Sequence, residues 1–135
     1  MNLILNRALL LAILTLTLLP LCAGANPLLE GYRAAAKQEN PAFKDFSVAN
    51  GQKFYLNKVG TLACASCHTD SPLSAGKHAS TNKEILPLAP AANPKRFTDA
   101  ANVEKWFKRN CNDVLKRVCT AQEKGDFMSY VLSVK

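Results

Sequence analysis

Cys64, Cys67 and His68 stand in the stretch LACASCHTDS, residues 62–71, at the spacing C-x-x-C-H. Two thiols and an imidazole held this close admit three chemistries. In a c-type attachment the thiols add across the two vinyl groups of one haem, and the next residue is then set against the iron on that side. A structural zinc site needs a fourth ligand, and the sequence offers only His78 or a distant cysteine pair. A thioredoxin-like redox pair sits beside a βαβ pattern, which this sequence lacks. The motif is therefore read as the anchor of one covalent haem c. Cys64 and Cys67 are its attachment points and His68 is the proximal iron ligand.

The opposite side of the iron has three candidates. Met128 is the one methionine besides Met1, and it lies beside Phe127 in a stretch that reads as helix, where methionine is more often core filler. His78 would make a bis-histidine pair, but it sits in a polar, turn-rich segment where a surface histidine is the ordinary reading. Asn110 continues the row Val103, Trp106 and Phe107 along one face of a helix, so its amide points where that apolar face points. Its other reading is a helix C-cap, a role asparagine fills well. Cys111 follows directly, and a disulfide to Cys119 would pin the backbone beside the amide. A weak metal ligand needs that kind of support. On the residues alone, the three candidates stay open.

The disulfide itself follows from counting. There are five cysteines. Cys22 lies in a leader over residues 1–25: Arg7 marks a short basic region, ALLLAILTLTLLPL is an apolar run, and AGA supplies a small-x-small cleavage site after Ala25. The apolar run is shorter than the roughly 20 residues of a membrane-spanning helix, so no anchor is expected once the leader is cut. Export to the periplasm places the chain in an oxidising compartment, where Cys111 and Cys119 are expected to pair.

Residues 26–135 are long enough for one small domain, and a large apolar cofactor or a staple helps so short a chain to fold. The formal charge is +7, with Lys95, Arg96, Lys105, Lys108, Arg109, Lys116 and Arg117 all in the last third. That patch reads either as a solvated face or as a docking surface for an acidic redox partner. Nucleic acid is not an expected partner in this compartment.

The elements that must position these residues are helical throughout, and no strand pattern stands out. Asn26 and Pro27 open a first helix with Leu28, Leu29, Tyr32 and Ala36 on its apolar side. Ser47 caps a second, with Val48, Gly51, Tyr55 and Val59 along one side. Thr69 to Lys83 is polar and aperiodic, and Pro87, Pro90 and Pro94 stiffen the stretch after it. Thr98 or Asp99 caps the helix that carries Asn110. Thr120-x-x-Glu123 is a capping box before a last helix with Phe127, Tyr130, Val131 and Val134 facing inward. The expected fold is all-α: a small helical domain of the class I cytochrome c kind, wrapped around one haem.

The stretches GYRAAA, CASCH, KEILPLAP, PKRFTDAANVEKWFKRNCNDV and RVCTAQEKGD together closely resemble the sphaeroides haem protein (SHP) family of small exported monohaem cytochromes c. The likeness runs from about Leu28 to the C-terminus and is firmest from Lys83 to Asp126. In that family the asparagine of the R-N-C-N segment is the sixth ligand, and the cysteine after it closes a short disulfide loop. The resemblance therefore implies Asn110 as a labile distal ligand and a Cys111–Cys119 bond. It also implies release of the asparagine on reduction, binding of oxygen, nitric oxide or carbon monoxide, and electrons supplied by a dihaem cytochrome c. An oxygen- or nitric-oxide-converting activity is one expectation. A periplasmic electron carrier with no ligand-binding role is the other.

Overall fold

The structure, a computed structural model, describes residues 26–135, and the leader expected over residues 1–25 lies outside the described residues. Among the described residues five helices carry the fold: α1 (Pro27–Glu39), α2 (Val48–Leu56), the one-turn α3 (Ala65–His68), α4 (Ala100–Leu115) and α5 (Ala121–Ser133). Two very short strands, β1 (Gly76–Lys77) and β2 (Glu84–Ile85), lie between α3 and α4. Among the described residues no helix is long and apolar enough to cross a membrane.

The helices begin where short polar side chains satisfy free backbone N–H groups. Asn26 Oδ1 accepts from Leu28 N at 3.0 Å, with Pro27 at the first helical position. Ser47 Oγ accepts from Asn50 N at 3.2 Å. Asp99, rather than Thr98, caps α4 and accepts from Asn102 N at 3.0 Å. The capping box of α5 is complete: Glu123 N donates to Thr120 Oγ1 at 3.1 Å and Thr120 N to Glu123 Oε2 at 2.9 Å.

α5 is the centre of the core, and α1 and α2 both pack on it. Gly51 lets α2 come close: a Cβ there would stand 1.9 Å from the Asp126 carbonyl oxygen. Phe127 of α5 meets Phe107 of α4 edge-on at 5.4 Å and Phe54 of α2 at 6.4 Å, and Tyr32 of α1 meets Phe107 at 5.9 Å. One aromatic cluster thus joins four helices, at the offset and perpendicular geometries that aromatic rings prefer.

Three details differ from the sequence reading. α2 stops at Leu56, so Val59 falls beyond its apolar side and instead bridges to Leu62. β1 and β2 pair antiparallel, Gly76 opposite Ile85 and Lys77 opposite Glu84, inside a stretch that showed no periodicity. Two residues per strand are too few for an alternating pattern to show. On α4 the buried row is Val103, Phe107 and Cys111, while Trp106 and Asn110 are exposed on the adjoining row. At about 100° per residue, positions i+3 and i+7 lie on the other side of i from i+4 and i+8, and only the latter side is covered here.

Candidate functional site

One turn of chain delivers all three residues of the C-x-x-C-H motif. The Cys64 carbonyl accepts from Cys67 N at 3.3 Å and from His68 N at 3.1 Å, and Ser66 Oγ accepts from Ala63 N at 2.9 Å. Both thiols are free and half-buried. Burial pushes the Cys64 thiol up to about 11, with Cys67 adding to the rise. Burial and the neighbouring Arg96 charge bring the His68 imidazole down to about 4. The ring is therefore neutral at physiological pH, the state in which an imidazole can ligate a metal.

The turn leaves the motif through a strained residue. Thr69 has φ 63° and ψ 173°, a conformation that only glycine adopts freely, at a cost of about 1–3 kcal/mol for other residues. Tyr55, fully buried on α2, donates its hydroxyl to the Thr69 carbonyl at 2.6 Å and lies 3.1 Å from the His68 carbonyl. Burial pushes the Tyr55 hydroxyl far up, with Tyr130, Cys64 and Asp70 adding to the shift, so it remains a donor. On the other side β1 presses against the motif. A Cβ on Gly76 would stand 1.9 Å from the Cys67 carbonyl oxygen, which leaves room only for glycine. The sequence shows Tyr55 only as part of an apolar helix side, and Gly76 carries no sequence signal in its polar surroundings.

The chain after the motif is tied to itself. Leu88 N and Ala89 N both donate to the Pro72 carbonyl, at 2.9 and 2.8 Å. The half-buried Arg96 donates Nε to Pro87 O at 2.9 Å and Nη2 to Leu86 O at 2.7 Å. Arg96 so fixes the proline-rich segment near His68, a role that its place in a basic run does not reveal.

Asn110 lies in mid-helix, since α4 continues to Leu115 and is capped by Lys116 in the left-handed region, φ 59°. It is not a C-cap. Its side chain is exposed, as is Trp106 one turn earlier, which stays 42% exposed with the Arg109 guanidinium 5.6 Å from its ring centre. Asn112, the neighbouring asparagine, donates back to the Lys108 carbonyl of its own helix at 2.8 Å. Cys111 and Cys119 are joined by a disulfide with Cα atoms 5.7 Å apart, so the second half of α4 is pinned, directly beside Asn110, to the chain just ahead of α5.

The other two candidates have different surroundings. Met128 is fully buried in the core on α5. His78 is half-buried in the β1–β2 turn, where its Nδ1 is 3.2 Å from Ser80 Oγ and 3.3 Å from Thr81 N.

Comparison with known proteins decides the family. Residues 41–131 match the model described as a domain of unknown function, DUF1924. Cytochrome c'' of Methylophilus methylotrophus is 42% identical over 114 residues, which cover 81% of this chain and 79% of that protein. Cytochrome c-type protein SHP of Cereibacter sphaeroides is 42% identical over 109 residues, covering 77% of this chain and 79% of that one. The chain belongs to this family. The structure of oxidised SHP, described as an oxygen-binding cytochrome c, superposes with a TM-score of 0.68 at 41% identity, covering 78% of this chain and 92% of that one. The solution structure of cytochrome c'', described as giving insight into haem-ligand detachment, superposes with a TM-score of 0.72 at 41% identity, covering 79% and 90%.

This protein is accordingly a helical monohaem c-type cytochrome, and its cofactor is haem c. The residues present fit that group. Two free thiols and a neutral imidazole rise from a single turn, and the remaining pair of described cysteines is already joined elsewhere.

Proposed function

We propose that Cys64 and Cys67 carry the haem, that His68 is the proximal ligand, and that Asn110 is a labile distal ligand whose release admits a diatomic molecule. When bound, the haem supplies a one-electron ferric–ferrous centre with room for a small ligand. The neutral His68 ring offers its nitrogen without first losing a proton, while Tyr55 and Gly76 fix the turn that holds it. Asn110 offers a neutral, hard amide oxygen, which suits ferric iron better than the softer ferrous state. Asn110 would therefore be held less firmly by ferrous iron, and its release would leave a position for oxygen, nitric oxide or carbon monoxide.

The observation that carries this reading is the placement of Asn110, exposed beside Trp106 and backed by the Cys111–Cys119 bond. The names of the relatives support it, since one is described as binding oxygen and another as detaching a haem ligand. The chain is exported to the periplasm and takes electrons from a donor cytochrome, of the dihaem c kind that the family resemblance implies. A labile ligand speaks against a plain electron carrier, because exchange of ligands adds reorganisation to each transfer.

The test is the visible and EPR spectrum of the exported holoprotein, ferric and then ferrous, for the natural chain and for Asn110→Ala. Expected are a ferric signal altered by the substitution and a ferrous form that takes up carbon monoxide in both proteins. A ferric spectrum unchanged by the substitution removes Asn110 as ligand, and a ferrous form inert to carbon monoxide leaves a simple carrier.

A further inference from the structure

The residue that follows the proximal histidine is a β-branched threonine in a glycine-type conformation, φ 63° and ψ 173°. Such a conformation persists only where the surroundings enforce it, and it concentrates at sites where geometry matters. The enforcing group is visible. The Tyr55 hydroxyl donates to the Thr69 carbonyl at 2.6 Å and reaches the His68 carbonyl at 3.1 Å, so one donor holds both carbonyls that flank the strained residue. Tyr55 cannot drift, because its ring is fully buried between Phe127, at 6.2 Å, and Tyr130, at 5.5 Å, both on α5.

We infer that Tyr55 and Thr69 form a latch that positions His68, transmitting the rigidity of the α2–α5 pair to the ring of the proximal ligand. The direction of an imidazole is set by its backbone and its two side-chain torsions, so fixing the carbonyls of residues 68 and 69 removes freedom from the ring at its base. Tyr55 is thus a positioning residue, acting on the iron only through His68. The assignment rests on His68 being the proximal ligand.

The test uses the ferrous holoprotein and resonance Raman spectroscopy of the iron–imidazole stretch, with ferric EPR line widths as a second reading. Tyr55→Phe keeps the ring and removes the hydroxyl. The expected result is a shifted, broader iron–imidazole band and wider EPR lines, as His68 samples more than one direction. Tyr130→Phe, which trims the neighbouring buried tyrosine, leaves both unchanged. Thr69→Gly relaxes the strain but keeps both carbonyls for Tyr55, so its band stays in place while its unfolding midpoint rises.

A Tyr55→Phe protein that unfolds more easily but shows the natural band and line widths overturns the latch and leaves the hydroxyl a purely structural role. A Thr69→Gly band displaced as far as that of Tyr55→Phe also overturns it, because the hold would then lie in the threonine. An iron–imidazole band that survives His68→Ala overturns the ligand assignment itself, a failure distinct from the other two.

Discussion

Gly76 shows how much a single position can depend on contacts that no local pattern announces. Its α-carbon packs so tightly on the motif that an added Cβ would meet Cys67 O at 1.9 Å and His68 Cα at 3.0 Å, both of them backbone atoms with no rotamer to escape into. Gly76→Ala is expected to lower stability by about 1–3 kcal/mol, the usual range for overpacking, and to reduce the fraction of chain recovered with haem attached. Guanidinium unfolding and the ratio of haem absorbance to protein check the two effects. An alanine variant with the natural midpoint and full haem content would place the close approach elsewhere. The site is legible in the sequence only where its residues are neighbours. C-x-x-C-H declares itself because Cys64, Cys67 and His68 share one turn, whereas Tyr55 reaches the same turn through a hydroxyl whose partners are set by how α2 lies on α5. Asn110 stands between these cases: its place on a helix can be read, but its exposure beside Trp106 follows from which side of α4 the core covers.

The helices are joined by two devices besides the aromatic cluster, and each makes a prediction. Glu104 of α4 accepts from the Tyr32 hydroxyl of α1 and from Lys124 Nζ of α5 at 2.7 Å, so one carboxylate ties three helices. Burial pushes that carboxyl up, but the hydrogen bonds from Lys124 and Tyr32 outweigh it and hold the group below its ordinary 4.5. A depressed carboxyl contributes stability above its unfolded value and loses it as the pH falls through the folded one. Glu104→Gln should therefore be less stable at neutral pH by about 0.2–1 kcal/mol, the range of partly exposed ion pairs, and the gap should close in acid. Thermal unfolding from neutral pH down through the carboxylate range measures it, and a gap that widens in acid contradicts the sign. Asp126 runs the opposite way: burial raises its carboxyl despite the bond from Ser47 N at 2.7 Å, so its own contribution improves as the pH falls. The second device is the Cys111–Cys119 bond between α4 and the chain just ahead of α5. Replacing both cysteines with serine is expected to cost about 2–3 kcal/mol, read as a lower denaturant midpoint. The helices and their caps at Asn26, Ser47 and Thr120 are readable because caps and periodicity are local. The end of α2 at Leu56 and the β1–β2 pair are not, because neither a helix ending in extended chain nor a two-residue ladder leaves a pattern.

Taken as a whole, the molecule has two unequal parts. α1, α2, α4 and α5 enclose the aromatic cluster, with Tyr55, Met128 and Val131 fully buried. Residues 57–99 hold only α3 and the two short strands, and their principal hydrogen bonds close on the segment itself, Leu88 and Ala89 to Pro72 and Arg96 to Leu86 and Pro87. The two parts meet where Tyr55 holds the His68 and Thr69 carbonyls and where Leu88 enters the helical core, with Cys64, Ala65 and Phe97 packed against it. Segments with little regular structure open at lower free energy than helical cores. With the haem carried by Cys64 and Cys67 as proposed, it would be what holds that part to the larger. A chain prevented from attaching haem, Cys64→Ala/Cys67→Ala, is expected to keep most of its far-ultraviolet helical signal. The Leu88 and Ala89 amides should then exchange with solvent about tenfold faster or more relative to amides in the middle of α5. Hydrogen exchange followed residue by residue distinguishes this from a chain in which both parts loosen together. Equal acceleration across α5 and residues 57–99 would mean that the helices too depend on the haem, and that the aromatic cluster does not stand on its own.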